Sequence, residues 1–107
     1  MTRNGLAELG RFSEPALLIL ISLADGAKHG YAMVDDIQQL SGARLGPGTL
    51  YGAIARLERL GLIEPLPAED RRRPYQLTQA GATALRSELT SLARVSSAGL
   101  QRLGASA

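Results

Sequence analysis

Residues 45–58 of the chain read LGPGTLYGAIARLE, and this stretch decides the fold. Pro47 suits the first turn of a helix, because the backbone N–H that proline lacks would have no partner there. Leu50, Ile54 and Leu57 follow at the spacing that places apolar side chains on one face of a helix. The stretch therefore predicts a helix that packs against a core along a single stripe.

The opposite face of this helix combines small residues with arginines. It carries Gly48, Thr49, Gly52, Ala55, Arg56 and Arg59. A slim basic face suits insertion into the major groove of DNA, where arginine hydrogen-bonds to guanine and to phosphate. The arginines also fit ion pairs with Glu58 or with a second subunit. Tyr51 lies beside the apolar stripe, and it fits the edge of the core as well as a phosphate contact.

Two helices are predicted before this one. Ser13 suits the N-cap of the first, which ends near Gly26 and is apolar on every face. A helix of that kind must be covered on more than one side, so Leu17 and Ile21 fit contact with a second subunit as well as the core. The second helix is predicted from about Gly30 to Leu40. Its inner face consists of Met33, Val34, Ile37 and Leu40.

A hairpin is predicted after the third helix. Residues 62–64 and 75–77 have the pattern of two short strands, and an arginine run at 71–73 lies near the tip of their connection. Pro74 cannot donate a ladder hydrogen bond, so it should begin its strand or lie on an outer edge. The run predicts a basic wing, although the two acidic residues before it also fit a solvated turn.

A long last helix is predicted from a capping residue, Thr78, to about Leu103. The weak helix formers Ser96, Ser97 and Gly99 leave open whether this helix is continuous past Ser96 or is kinked or frayed there. The apolar stripe of this helix fits either the core or a dimer seam. It consists of Leu85, Leu89, Leu92 and Val95.

The order of three helices, a hairpin and a further helix predicts a winged helix-turn-helix, a mainly α fold with a small β-hairpin. In this fold the third helix enters the major groove and the hairpin lies along the DNA backbone. We expect residues 1–12 to form a flexible N-terminal segment and residues 13–77 to form the DNA-binding domain. Residues 78–107 are predicted to form a C-terminal dimerisation helix.

Composition limits the chemistry of the chain. It has 107 residues, no cysteine and a single histidine, His29. These counts exclude disulfides, thiolate metal sites and Cys–His catalysis, and no catalytic residue, cofactor site or metal site is predicted, with a carboxylate-only metal site left open. The net charge of +2 makes DNA binding depend on local clusters of arginine. The apolar run 15–24 is too short to span a bilayer, so we expect a cytoplasmic protein without a membrane partner.

Several motifs resemble those of the PadR family of transcriptional regulators. Residues 45–58 are similar to the family's recognition-helix signature, L-S-P-G-T-L-Y-x-A-L-x-R-L-E, and residues 28–31, KHGY, are similar to its turn into the second helix. Residues 71–81 are similar to its R-R-R-K-Y-Y-x-L-T-x-x-G. The resemblance extends over residues 12–103, and the short C-terminal region is similar to the compact branch of the family.

The resemblance implies a homodimeric repressor that binds double-stranded DNA at an inverted-repeat operator, pairs through its last helix and is released by a small-molecule inducer. By position, it implies DNA contacts for Tyr31, Thr49, Tyr51 and the wing arginines. Together with the slim face and the turn before the second helix, the predicted DNA-binding residues are Lys28, His29, Tyr31, Gly48, Thr49, Tyr51, Arg56, Arg71, Arg72 and Arg73. The predicted dimer contacts are Leu17, Ile21, Leu85, Leu89, Leu92 and Val95.

Four positions depart from the family pattern. Gly46 replaces a capping serine, at a cost of a few tenths of a kcal/mol. Asp70 stands where a wing-turn glycine is common and Pro74 where a basic residue is usual, which predicts an altered wing with a weaker hold on phosphate. Leu92 takes the place of a tryptophan that drug-binding relatives carry, so an aromatic stacking slot for a ligand is not expected.

A winged-helix module that binds another protein is the alternative function. Such a module would present apolar anchors on the third helix, whereas small residues and arginines face outward here. RNA binding would favour exposed aromatic side chains, and only 4% of the residues are aromatic.

Overall fold

Four helices and three strands make up residues 14–104, the part of the chain that the computed structural model describes. In chain order they are α1 Pro15–Leu23, β1 Lys28–His29, α2 Gly30–Ser41, α3 Pro47–Arg59, β2 Ile63–Pro65, β3 Pro74–Leu77 and α4 Gln79–Arg102. The predicted mainly α fold with a winged helix-turn-helix is confirmed. The predicted flexible segment 1–12 and the cap Ser13 lie outside the described residues. The N-cap of α1 is Glu14 instead, and its side chain makes no capping hydrogen bond.

The core is centred on α1. Its residues 16–20, together with Ser22 and Leu23, are buried, because α1 contacts α2, α3, α4 and β3 at once. A helix that is apolar all round is thus covered on several sides within the chain itself. Met33, Val34 and Ile37 of α2 and the stripe Leu50, Ile54 and Leu57 of α3 complete the core as predicted.

Leu40 differs from its prediction. It lies on the same face of α2 as the buried Met33 and Ile37, yet 54% of it is exposed. Leu40 belongs to the last turn of α2, beyond the part of the helix that packs on the core. The chain then turns away at Gly42, which takes a left-handed conformation with φ 78°.

The sheet has three antiparallel strands in the order β1-β3-β2. Strands β2 and β3 form the predicted hairpin, shifted slightly in their ends. Strand β1 was not predicted, because a strand of two residues is too short to show a periodic pattern. It pairs only with β3, which is distant in sequence, and Lys28 lies opposite Tyr75. Pro74 begins β3, as expected for a residue without a donor.

Helix α4 begins at the predicted cap. The Thr78 hydroxyl accepts a hydrogen bond from the backbone N–H of Gly81 at 3.0 Å and donates one to the carbonyl oxygen of Gly61 at 2.7 Å. The backbone N–H of Thr78 donates to the carbonyl oxygen of Leu62 at 3.1 Å. These bonds fix the start of α4 against the loop that leads into the hairpin.

The kink or early fraying that the sequence left open in α4 does not occur. The helix is continuous for 24 residues and passes through Ser96, Ser97 and Gly99. Weak helix formers cost about 1 kcal/mol or less each, and an established helix propagates cooperatively across them. Leu92 is the last buried residue of α4, and every residue from 93 to 104 is exposed. The second half of α4 therefore projects from the body of the chain.

Candidate nucleic-acid interface

The outward face of α3 is open to solvent. Leu50, Ile54 and Leu57 are each only 2% exposed, which fixes the rotation of the helix. The six residues of the slim face are therefore directed away from the core. They are Gly48, Thr49, Gly52, Ala55, Arg56 and Arg59, all exposed.

The glycines of this face make no packing contact with the rest of residues 14–104. A Cβ added at Gly48 or at Gly52 would meet no atom within 4 Å, and neither residue has a left-handed backbone. Glycine inside a helix costs about 1 kcal/mol relative to alanine. The fold therefore does not account for glycine at either position, whereas close approach of an external surface would.

A cleft of about 490 Å³ lies between the hairpin and the start of α2 and α3. It brings together residues from three distant segments of the chain. They are His29, Gly30, Tyr31, Tyr51, Arg71, Arg72, Arg73 and Tyr75. Six of these eight belong to the predicted DNA-binding set. Three guanidinium groups and three phenol groups in one cleft suit a phosphate, which accepts hydrogen bonds from both.

Tyr51 packs against another part of the chain and is also open to solvent, and its phosphate contact remains a prediction. Its hydroxyl lies directly over Gly30, where a Cβ would be 2.6 Å from the hydroxyl oxygen. The residue is nevertheless 54% exposed. Gly30 thus sets the place of a phenol group that remains accessible from outside.

His29 is the N-cap of α2. Its Nδ1 accepts a hydrogen bond from the backbone N–H of Ala32 at 3.4 Å. That contact uses the neutral ring nitrogen as acceptor and leaves Nε2 as a donor. His29 therefore both starts the helix and lines the cleft.

Lys28 is engaged within the chain. Its ammonium donates to the carbonyl oxygen of Ser22 and to the carboxylate of Asp25, and it lies 4.0 Å from the carboxylate of Asp36. The hydrogen bond and the charge of Lys28 lower the pKa of Asp25 below its ordinary value. Ser22, buried and bonded to Asp36 at 2.6 Å, joins the same cluster. Lys28 thus braces β1 against α1, and its predicted DNA contact remains a prediction.

The wing ends in a tight two-residue turn. Glu69 and Arg72 exchange two backbone hydrogen bonds of 2.6 and 2.7 Å, and the residues between them, Asp70 and Arg71, have φ values of 48° and 69°. This is the left-handed geometry for which glycine is favoured. Arg73 donates to the carbonyl oxygen of Leu66 at 2.8 Å, which braces one side of the loop. The turn presents Arg71 and Arg72 at the exposed tip.

Two residues of the site were missed by sequence reasoning. Tyr75 lies between Pro74 and Gln76 in β3. Its position just after the arginine run was the sequence signal that could have identified it as part of the site. Burial and, to a lesser extent, the charge of Glu58 raise the pKa of Tyr75 above its ordinary value. Glu14 gave no signal at all, since its contact with Arg56, at 3.4 Å, joins residues 42 positions apart.

The predicted dimer contacts fall into two groups. Leu17, Leu85 and Leu92 are buried in the core of this chain, and Ile21 is half-buried. Leu89 and Val95 are exposed, as are two residues that sequence reasoning did not select, Leu100 and Leu103. The accessible apolar surface of α4 therefore lies mostly beyond Leu92.

Residues 14–104 contain no group of three or more metal-ligating side chains placed to hold an ion. No helix within the same range is long and apolar enough to cross a bilayer.

Comparisons with known proteins agree with this architecture. The model of the Transcriptional regulator PadR-like family matches residues 19–87. A transcriptional regulator of Mycobacterium tuberculosis is 40% identical over 84 residues, which cover 73% of this chain and 78% of that protein. A 37.1 kDa protein in a transposon of Streptomyces fradiae is 51% identical over 86 residues, and the match spans 80% of this chain but only 25% of that protein.

Solved structures share the fold. A PadR family transcription regulator from Clostridium difficile superposes with a TM-score of 0.75 at 24% identity, covering 83% of this chain and 97% of that one. The family match runs from the second half of α1 through α2, α3 and the wing to the first part of α4. The members of this family are regulators of transcription rather than enzymes, and the chain belongs to the PadR-like family of transcriptional regulators.

Proposed function

We propose that this protein is a sequence-specific DNA-binding repressor that acts as a homodimer on an inverted-repeat operator, with α3 in the major groove. The observation that carries the proposal is the pair of glycines on the outward face of α3. Glycine weakens a helix, and Gly48 and Gly52 make no packing contact within the described residues 14–104, so a surface that approaches α3 from outside gives the reason for both. The floor of the major groove requires such an approach.

The charges of the site support the same orientation. Arg71 and Arg72 lie at the tip of the wing, beside the cleft that also contains Tyr31 and Tyr51. With α3 in the groove, a backbone phosphate can occupy the cleft and accept hydrogen bonds from these side chains. The net charge of only +2 does not oppose binding, because Arg56 and Arg59 on α3 and the arginine run at 71–73 supply local positive charge.

Dimerisation is proposed through the projecting half of α4. Residues 93–104 are all exposed, so the described part of the chain leaves the apolar side chains of this segment accessible to solvent. Its exposed Val95, Leu100 and Leu103 would be covered by a second copy. Two α3 helices would then reach half-sites about one helical turn apart. The resemblance to known regulators further suggests that a small-molecule inducer acts at this interface by changing the spacing of the two α3 helices.

The test replaces Gly52 by alanine. We expect the variant to be more stable by about 0.5 to 1 kcal/mol and to bind DNA about tenfold more weakly, because its methyl group would separate α3 from the bases. The DNA is a duplex that the wild-type protein selects from a randomised pool. Thermal unfolding and fluorescence anisotropy report the two effects.

Ser87→Ala is the control, since it improves helix propensity at an exposed position of α4 without touching α3. It should raise stability by a few tenths of a kcal/mol and leave DNA binding unchanged. Undiminished DNA affinity of Gly52→Ala would contradict the proposed orientation. Failure of the wild type to select any duplex would instead favour a protein partner.

A further inference from the structure

Glu14 is the acidic residue in contact with the outward face of α3. Its Oε1 lies 3.4 Å from Nη2 of Arg56, and the two side chains are 51% and 57% exposed. Glu14 also lines a shallow recess of about 280 Å³ that includes Gly48, Thr49 and Gly52. A carboxylate therefore lies at the edge of the surface that the proposed function places in the major groove.

Folding gives little reason for this contact. An ion pair that is half exposed and long in distance adds little to stability. Glu14 occupies the N-cap of α1, but its side chain caps no backbone N–H, so it is free to reach toward α3. A negative charge in this place is unfavourable for the approach of any DNA, because it faces the phosphates.

We propose that Glu14 is a positioning residue that holds Arg56 for base recognition and so determines how well the protein distinguishes its operator from other DNA. This inference rests on the proposed function. The guanidinium group has five donors in a planar fork, and the contact with Glu14 uses only one nitrogen, Nη2. The remaining donors can bind the O6 and N7 atoms of guanine.

The same contact also lowers the affinity for DNA that lacks the guanine recognised by Arg56. When Arg56 binds guanine, the ion pair and the base contact coexist and the charge of Glu14 stays compensated. On a sequence without that guanine, Arg56 has to leave Glu14 to reach a phosphate, and the carboxylate then faces the DNA backbone alone. Glu14 thus weakens binding to incorrect sequences more than binding to the operator.

The test measures Glu14→Gln, Arg56→Ala and the double variant by fluorescence anisotropy on two duplexes. One duplex is selected by the wild-type protein from a randomised pool, and the other is its scrambled sequence. We expect Glu14→Gln to bind the scrambled duplex about fivefold more tightly and the selected duplex within about twofold of wild type. The ratio of the two affinities should then fall by threefold or so.

The double variant shows whether Glu14 acts through Arg56. In the Arg56→Ala background, Glu14→Gln should no longer change the ratio, because no guanidinium remains to be held. Glu58→Gln is the matched control, because it also removes one negative charge, in this case from α3 itself. Glu58 lies two residues from Arg56, and side chains two residues apart on a helix do not face each other. It should change both affinities by the same factor.

Three results would overturn the inference. They are an equal change on both duplexes for Glu14→Gln, a loss of discrimination that persists without Arg56, and the same loss in Glu58→Gln. Thermal unfolding checks that each variant is folded. If the wild type shows no preference for any duplex, the proposed function itself fails. If the wild type keeps its preference but the variants give one of these three results, only the inference about Glu14 fails.

Discussion

The first turn of α4 passes so close to the end of α3 that a Cβ at Gly81 would lie 1.9 Å from the carbonyl oxygen of Leu62. That oxygen also accepts the backbone hydrogen bond of Thr78. Backbone on both sides makes this contact rigid. The contact between α4 and the residue before β2 therefore requires glycine at position 81 for lack of space, although the backbone dihedrals of Gly81 are ordinary.

Gly81→Ala should lower the free energy of unfolding by about 2 to 3 kcal/mol, because neither backbone can move without breaking the hydrogen bonds around Thr78. Urea unfolding followed by circular dichroism measures the change. Gly52→Ala, the same substitution with free space around it, should be stabilising. Equal stability of Gly81→Ala and wild type would show that the joint is looser than described.

The wing turn offers a second prediction. Arg71 has a left-handed backbone with φ 69°, so Arg71→Gly should raise stability by about 0.5 to 1 kcal/mol. The same change removes a tip charge and should reduce the slope of log affinity against log salt by about 0.9. Arg71→Lys keeps the charge and the strain, and it should leave both quantities near wild type. A salt slope unchanged in Arg71→Gly would exclude a phosphate contact at this position.

Gly30 and Tyr51 are predicted to act as a unit. Gly30→Ala would push the Tyr51 hydroxyl away, which is a small cost for the fold because the end of the side chain can move. DNA affinity should fall about as much as in Tyr51→Phe, by about tenfold or more for one lost charge-assisted hydrogen bond. The double variant should be no weaker than either single one. Additive losses would mean that Gly30 affects binding by another route.

Acid should remove the contribution of Asp25 to stability. Since Lys28 lowers the pKa of Asp25 in the folded protein, the carboxylate stabilises the fold above its ordinary pKa of about 4. This stabilisation is lost as the pH falls through the lowered value. Asp25→Asn should therefore unfold at a lower temperature than wild type near neutral pH, with the gap closing in acid. Added salt should also narrow the gap, because Asp25 is exposed.

Local sequence patterns were sufficient for the elements whose causes are local. The apolar stripe of α3 and the cap Thr78 follow from helical spacing and capping chemistry, which act over a few residues. Most residues that line the cleft were also selected from the sequence, since they belong to the motifs at 28–31, 45–58 and 71–81. Only the folded structure shows that these three motifs lie next to each other.

Features that depend on distant contacts could not be predicted. Strand β1 forms only because β3 lies beside it, and the Glu14–Arg56 contact joins residues 42 positions apart. Leu40 lies on the buried face of α2 by its helical spacing, but it belongs to the last turn of the helix, beyond the core. The continuity of α4 through Gly99 shows that local propensity is a weak guide within a long helix.

The most direct test of the account is the binding of the wild-type protein to DNA across a salt series, measured by fluorescence anisotropy. The two probes are the duplex that the protein selects from a randomised pool and its scrambled counterpart. We expect a clear preference for the selected duplex, two chains bound per site, and an affinity that falls steeply with salt. Weak, equal binding to both duplexes with no dependence on salt would contradict the assignment of α3 and the wing as a DNA-reading surface.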